Sequence, residues 1–372
     1  MPLKSETLTA AFLVICMAWS MALTQEIRPG VWAGSRIQSS PLPQNGNQAY
    51  LVGELHGLKQ NEEFQLEYLR LLNKSSNLRD VAIEEKAVYE KQAQAYIDGE
   101  AITLPEALCL RASLLLDIRK LNASLRGDKR IRIHLVDIDS PASAIREHLL
   151  AIEQQIPDGT EVRVPAASEI KEHGLETVSS LERYRIDSRT MSELRTVEHS
   201  IRAYQQGLEV GIGPPKGSPY LEDREQAIAD NIKELIHGRT ELSILILCGF
   251  DHVSKSERKD GGPDRDQPFW PMAARLEQSG IRIFCLVTFP LAGNSFWRGV
   301  HSELLWKPVD GHLASGETFD KLIATIPQAK FIYVDTKRQR VHLPSQDVSN
   351  YSVDAFLLFP SAAPMKNDCA VH

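Results

Sequence analysis

Short apolar runs that end in charged residues alternate with helix-like stretches along this chain, and this alternation limits the folds open to it. The strand-like runs cover 50–54, 80–84, 131–139, 243–248, 281–289, 331–334 and 354–359. Helical spacing of apolar residues is typical of 61–72, 86–126, 141–156, 176–207, 223–237 and 270–279. Strands that alternate with long helices predict an α/β fold with a largely parallel central sheet flanked by helices.

The regions outside this alternation set the domain organisation. Residues 23–46 contain Pro29, Gly30, Pro41, Pro43 and Gly46, which predicts an irregular lead-in. The helices between the second and fourth strands exceed what crossovers require, so we expect a helical insertion at about 86–240. The sequence therefore predicts a single α/β domain over 23–372.

Composition excludes several classes of protein. The 372 residues are 42% hydrophobic and 24% charged, which is too apolar for a disordered chain. The net charge is −7, and no block of Lys and Arg is present. Nucleic acid and anionic membranes are therefore not expected as partners.

The first 22 residues have the pattern of an export signal. Lys4 precedes an apolar run from Leu8 to Leu23, and small residues at Ser20 and Ala22 stand at the −3 and −1 positions of a cleavage site. The run is shorter than the roughly 18–20 residues that cross a bilayer, so no stable membrane span is expected. We therefore predict a signal peptide at 1–22 and a periplasmic or extracellular protein, the alternative being a buried N-terminal helix.

Polar residues at the strand ends are the candidate functional groups. Four separate strands end in GELHG at 53–57, EE at 84–85, DID at 137–139 and GFDH at 249–252. Ligands of open α/β sheets bind beyond the carboxyl ends of the strands, so these residues are expected to meet at one edge. The candidates for chemistry are Glu54, His56, Glu84 and His252, and those for substrate binding are Arg224, Asp137 and Asp251.

Such a set of side chains can perform two kinds of chemistry. A neutral histidine beside a carboxylate can take a proton from water. Alternatively, His56, His252, Glu54 and Glu84 can hold a divalent metal, such as Zn, Mn, Co or Fe, that activates a bound water. The residues alone leave both alternatives open.

Other polar residues have simpler interpretations. Arg224 is either a helix-face ion-pair residue or an anchor for an anionic group. His134, inside a strand, is expected to be structural, and Cys248 to be a buried, inert thiol. The chain has no CxxC, no G-x-S-x-G elbow and no dinucleotide fingerprint.

Several of these motifs resemble those of a known family. LVGELHG at 51–57 and VAIE at 81–84 resemble the opening of the erythromycin esterase-like proteins, within the Tiki/TraB/ChaN superfamily of haem-uptake proteins, metalloproteases and esterases. Later motifs are similar in the expected order: DIRKLN at 117–122, VDIDSP at 136–141, YLEDREQAIADNI at 220–232, LCGFDH at 247–252 and DAFLLF at 354–359.

The resemblance implies roles for individual residues. His56 would be the water-activating histidine, Glu54 and Glu84 the carboxylates around it, and His252 the second histidine. The single Leu55 between Glu54 and His56 is similar to ChaN-type proteins, as is YEKQAQAYIDG at 89–99, and this similarity implies haem as an alternative ligand.

The leading hypothesis is an exported hydrolase that cleaves an ester, lactone or amide bond of a small-molecule or peptide substrate. The alternative is a ChaN-type protein that binds haem or a metal-bearing ligand without turnover. A third possibility is a degenerate member of the superfamily that serves as a protein-interaction module.

Overall fold

A computed structural model describes ten stretches of the chain: residues 24–156, 162–184, 186–207, 220–237, 243–259, 268–297, 302–306, 312–343, 351–361 and 363–365. The predicted signal peptide at 1–22 lies outside these residues. Among the described helices, none combines the length and the apolar character that a membrane crossing requires.

The centre of the fold is a nine-stranded sheet. Its strands are β1 (Gln25–Arg28), β2 (Val31–Gly34), β3 (Ala49–Glu54), β4 (Asp80–Lys86), β5 (Arg132–Asp137), β6 (Ile244–Gly249), β9 (Ile283–Pro290), β13 (Phe331–Asp335) and β15 (Ala355–Phe359). Three two-stranded ladders are built from β7 (Arg258–Lys259), β8 (Pro268–Phe269), β10 (Gly293–Trp297), β11 (Ser302–Trp306), β12 (His312–Leu313) and β14 (Val341–His342).

Strand directions confirm the predicted largely parallel sheet. The order is β1-β2-β13-β15-β9-β3-β6-β4-β5, and every pair from β15 to β5 is parallel. The other edge is antiparallel, because β13 pairs antiparallel with both β15 and β2. The prediction of an irregular lead-in at 23–46 was therefore wrong for β1 and β2, which extend the sheet despite the turn at Gly30.

Helices cover the strands. They are α1 (Lys59–Ser76), α2 (Glu90–Asp98), α3 (Ala112–Ser124), α4 (Ala142–Glu153), α5 (Ile170–Leu181), α6 (Ser188–Gln205), α7 (Tyr220–Ile236), α8 (Met272–Gln278) and α9 (Phe319–Thr325). The continuous helix expected over 86–126 is broken, since Gly99 ends α2 with φ 86° and a 3₁₀ helix, Glu106–Arg111, precedes α3. The region 176–207 likewise divides into α5 and α6.

Apolar side chains fill both faces of the sheet. On β3, Leu51 packs in one cluster with Ile228 of α7 and Met272 of α8, whereas Tyr50 and Val52 pack on the other face with residues of α1 and α3. Two-sided burial explains why the central strands have apolar sequences. A third cluster joins α4, α5 and α6 beside the sheet, within the expected insertion, which also contributes β5.

Candidate active site

The carboxyl ends of four neighbouring strands form the candidate site. In the sheet order β3-β6-β4-β5, Glu54 lies beside Gly249 at the ends of β3 and β6. Glu84 and Asp137 lie at the corresponding ends of β4 and β5, where the register shifts between Ile83 and Lys86. Parallel pairing therefore brings residues that are distant in sequence to one edge.

His56 and Glu54 form a pair at this edge. Nδ1 of His56 lies 2.9 Å from Oε1 of Glu54. The carboxylate is buried, with 3% of its side chain exposed, whereas 42% of the His56 side chain is exposed. The Glu54 carboxylate is therefore enclosed by the protein, whereas the His56 imidazole is accessible from solvent.

Two further side chains hold Glu54 in place. The Arg111 guanidinium donates to Oε1 of Glu54 at 2.6 Å, and Nε2 of Gln65 donates to Oε2 at 2.5 Å. Burial alone would raise the pKa of Glu54, but Arg111 and His56 outweigh it and lower the pKa to about 2. Glu54 therefore stays ionised across the ordinary pH range.

The anion of Glu54 acts on His56 in return. Burial works to lower the pKa of His56, but the hydrogen bond to Glu54 and the nearby charge of Glu84 raise it above its ordinary value. A bond at Nδ1 also selects the tautomer with its lone pair on Nε2. His56 is therefore a stronger base than a free imidazole, with Nε2 as the basic atom.

A second group is centred on Glu84. The Arg224 guanidinium donates a hydrogen bond to Oε1 of Glu84 at 2.5 Å. It also donates to both carboxylate oxygens of Asp137, at 2.9 and 2.7 Å. The backbone N–H of Gly249 donates to Oε2 of Glu84. Arg224 therefore forms ion pairs with the carboxylates of β4 and β5. This is the first of the two roles that the sequence left open for Arg224.

His252 lies between two buried carboxylates. Its Nε2 is 3.0 Å from Oε1 of Glu84, and its Nδ1 is 2.6 Å from Oε1 of Glu225 on α7. Burial opposes protonation of this ring, but the two anions hold its pKa well above the ordinary value. The two anions therefore favour the protonated form of His252, and each ring nitrogen lies next to a carboxylate.

Gly249 brings the two groups together. A Cβ atom at this position would lie 3.0 Å from Nε2 of His56 and 3.3 Å from Oε2 of Glu84. Nε2 of His56 and Oε2 of Glu84 therefore both border the space beside Gly249. His252 contacts the other oxygen of the Glu84 carboxylate, so the structure brings both predicted histidines to the same edge of the sheet.

Some predicted residues lie differently. Asp251 bonds to Arg258 and accepts the Tyr351 hydroxyl at 2.7 Å, and it is absent from the described contacts of His56 and Glu84. His134 pairs with Asp80 at 2.9 Å, at the amino ends of β4 and β5. The structural interpretation of His134 fits this position.

Arg111, Gln65 and Glu225 escaped the sequence analysis, whereas Glu85 was named beside Glu84 at a strand end but given no role. Glu85 lies 3.6 Å from Arg111, and burial raises its pKa. Arg111 ends a 3₁₀ helix that the sequence pattern did not distinguish from its neighbours. Of the three missed residues, only Glu225 had a nearby signal, since it follows Arg224 in the helical motif.

The donor set does not fit the predicted metal site. Arg111 and Arg224 neutralise Glu54 and Glu84, and both nitrogens of His252 already face carboxylates. A metal ion bound by these side chains would have to displace the ion-pair partners that they already have. Within the described ranges, no group of three or more His, Cys, Asp or Glu side chains is placed to hold a metal ion.

Solved structures share this fold. A succinoglycan biosynthesis protein superposes with a TM-score of 0.63 at 12% identity over 93% of this chain and 95% of its own. A mutant erythromycin esterase, EreC, in its open conformation gives 0.61 at 13% identity over 87% and 93%. A Bacillus cereus protein gives 0.56 at 12% identity over 86% and 90%.

These likenesses confirm the α/β fold and, at the level of fold, the resemblance to erythromycin esterase-like proteins. Neither a family model nor a curated protein matches the sequence.

Proposed function

We propose that this chain is a hydrolase in which His56 activates water to cleave an ester, lactone or amide bond. The observation that carries the proposal is the asymmetry of the two histidines. Within the described part of the chain, His56 is accessible and its Nε2 makes no hydrogen bond, whereas His252 is enclosed by two carboxylates. A general base needs that accessible lone pair.

The proposed reaction has two steps, and His56 carries the proton in both. Nε2 of His56 takes a proton from water while the oxygen attacks the carbonyl carbon, and Glu54 stabilises the imidazolium through Nδ1. The tetrahedral intermediate then collapses, and the leaving alkoxide or amine takes the proton from Nε2. The fold shared with an erythromycin esterase is consistent with this chemistry. The predicted signal peptide makes export part of the proposal.

Replacement of His56 is the direct test. We expect His56→Asn to lower hydrolysis of a panel of esters, lactones and amides about 10²–10⁴-fold, the usual value of a general base. The matched control is His134→Asn, which disrupts a His–carboxylate pair of the same 2.9 Å length at the amino ends of β4 and β5, away from the candidate site. Equal losses in both variants, or a haem absorption band on titration without turnover of the panel, would overturn the proposal.

The pH profile tests the role of Glu54. Because the base must be neutral, activity should rise with pH through the pKa of His56, which lies above 6.5. Glu54→Gln removes the anion that raises this pKa, so the acid limb of kcat should move to lower pH while the maximum rate falls. Unchanged limb positions in steady-state profiles would show that His56 is not the titrating base.

A further inference from the structure

A second cavity lies between the edge strand β5 and the helical insertion. Its volume is about 360 Å³, within the size range of small-molecule sites. The described residues that line it include Leu135 of β5, Lys91 of α2, His148 of α4, Ser192 of α6 and Leu235 of α7. No described residue of the candidate active site is among its lining residues. The cavity is therefore separate from the proposed hydrolytic site.

His148 is a buried polar side chain in the wall of this cavity. Only 5% of its side chain is exposed, and its Nδ1 lies 2.6 Å from Oδ2 of the fully buried Asp139. The other oxygen of Asp139 accepts the Val88 N–H at 3.0 Å, and the Asp139 N–H donates to the Ser200 hydroxyl at 2.9 Å. Asp139 therefore fixes the imidazole ring through Nδ1.

The opposite nitrogen of His148 is available to a ligand. Within the described part of the chain, Nε2 of His148 makes no hydrogen bond. It is not among the polar atoms that are fully enclosed by protein, and His148 lines the cavity, so Nε2 is accessible from the cavity. Polar groups in buried side chains normally have partners, and a bound molecule would supply one here.

The charges around His148 favour an anionic ligand. Burial works to lower the pKa of His148, but the charge of Asp139 and the hydrogen bond to it raise the pKa above its ordinary value. The protonated ring can donate a charge-assisted hydrogen bond from Nε2. The positive charge of Lys91 also acts on His148, and Lys91 makes no ion pair with another described residue.

Two of the acidic side chains in the cavity wall already have cationic partners. Arg189 lies 3.4 Å from Oε1 of Glu90 and 3.3 Å from Oε1 of Glu193. The other oxygen of Glu90 accepts the Leu135 N–H at 3.1 Å. The third acid, Glu234 on α7, is not among the groups whose charge most affects His148. Among the described residues, the unpaired charge that acts on His148 is therefore positive.

We propose that this cavity binds a small carboxylate with an apolar body, whose oxygens accept hydrogen bonds from Nε2 of His148 and from Lys91. Apolar side chains line the space that the body would occupy: Ala87, Val88, Leu135, Val136, Ala151 and Leu235. Burial of an apolar body against such side chains adds to the affinity for the carboxylate group. The proposal does not depend on the proposed function.

Calorimetric titration of the full chain with phenylacetate tests the ligand class. At about pH 6, below the ordinary histidine pKa of about 6.5, we expect one phenylacetate to bind per chain. Neutral phenylacetamide and acetate, which lacks the apolar body, should each bind at least about tenfold more weakly. No binding of phenylacetate, or equal affinity for either of the other two compounds, would overturn the proposal.

Variants test the position of the ligand. His148→Asn retains a donor near the position of Nδ1 but lacks Nε2, so it should weaken phenylacetate binding about tenfold or more. Ala151→Leu fills part of the cavity without changing the pair with Asp139, and it should cause at least the same loss. This second variant keeps the test decisive if His148→Asn does not fold. The matched control is His173→Asn, at a histidine with 56% of its side chain exposed, which should bind as the unaltered protein does.

His56→Asn distinguishes this cavity from the candidate active site. We expect the variant to bind phenylacetate as tightly as the unaltered protein, and the ring ¹⁵N signals of His148 to shift on titration. Loss of binding in His56→Asn, or full binding in both His148→Asn and Ala151→Leu, would overturn the proposal. These results stand whether or not the ester panel is turned over.

Discussion

At the residue scale, the site depends on close approach as much as on charge. The backbone at Gly249 has φ −61°, so the position does not need glycine for its conformation. Glycine is needed because there is little room for a side chain. A Cβ atom at this position would lie only 3.0 Å from Nε2 of His56 and 3.3 Å from Oε2 of Glu84. A short side chain here would therefore push the proposed base away from its neighbours.

Gly249→Ala should lower kcat about tenfold, since displacement of a catalytic group by a fraction of an ångström is costly, while the melting temperature changes little. The control is Gly127→Ala, where an added Cβ would meet nothing within 4 Å. Parallel activity assays and thermal melts of the two variants decide the matter. Equal activity in both would contradict a tight fit around His56.

Apart from Arg224 on α7, the site residues that the sequence revealed are those at strand ends. Glu54, His56, Glu84 and Asp137 follow apolar runs, and the parallel sheet places such ends at one edge. Arg111 and Glu225 come from helical segments, where exposed and buried charges look alike in sequence. Their roles depend on which face of the helix meets the sheet.

At the element scale, α7 ties the edge of the sheet together. Arg224 joins Glu84 on β4 to Asp137 on β5, and the adjacent Glu225 accepts the N–H of Met272 at the start of α8 at 2.6 Å. One turn of α7 therefore links two strands and a neighbouring helix. Loss of that link would leave two partly buried carboxylates facing each other.

We expect Arg224→Met to reduce the free energy of unfolding by about 3 kcal/mol, because breaking a buried ion pair leaves uncompensated charge. The control Arg202→Met removes a pair with Glu198 on α6 in which 48% of the arginine side chain is exposed, and it should cost less than about 1 kcal/mol. Urea unfolding at pH 7 measures both. Similar losses in the two variants would mean that the Arg224 link is only a surface pair.

At the scale of the whole molecule, buried charges of both signs determine the pH range in which the folded state is most stable. Glu54 and Asp80 have pKa values lowered to about 2, since arginine and histidine partners outweigh burial. The pKa values of His148 and His252 are raised by buried carboxylates. These groups favour the folded state in different ranges of pH.

The free energy of unfolding should be greatest between about pH 4.5 and 6.5. The carboxylate contribution is complete above the unfolded pKa and is lost as pH falls toward 2, by about 2–3 kcal/mol for each group. The histidine contribution is complete below the unfolded value of about 6.5 and is lost as pH rises through the folded pKa. Urea unfolding at pH 3, 5.5 and 8.5 measures this, and higher stability at 8.5 than at 5.5 would contradict it.

The sequence by itself determined the class of fold and the strand-end residues. Strand runs buried on both faces must be apolar, and each must end in polar groups where the sheet meets water. Only the tertiary structure decided which strands are neighbours, that β1 and β2 extend the sheet, and that Arg111 and Glu225 complete the two clusters. These pairings depend on long-range packing and on the neutralisation of buried charge. The partners are up to about two hundred residues apart, so no local sequence pattern links them.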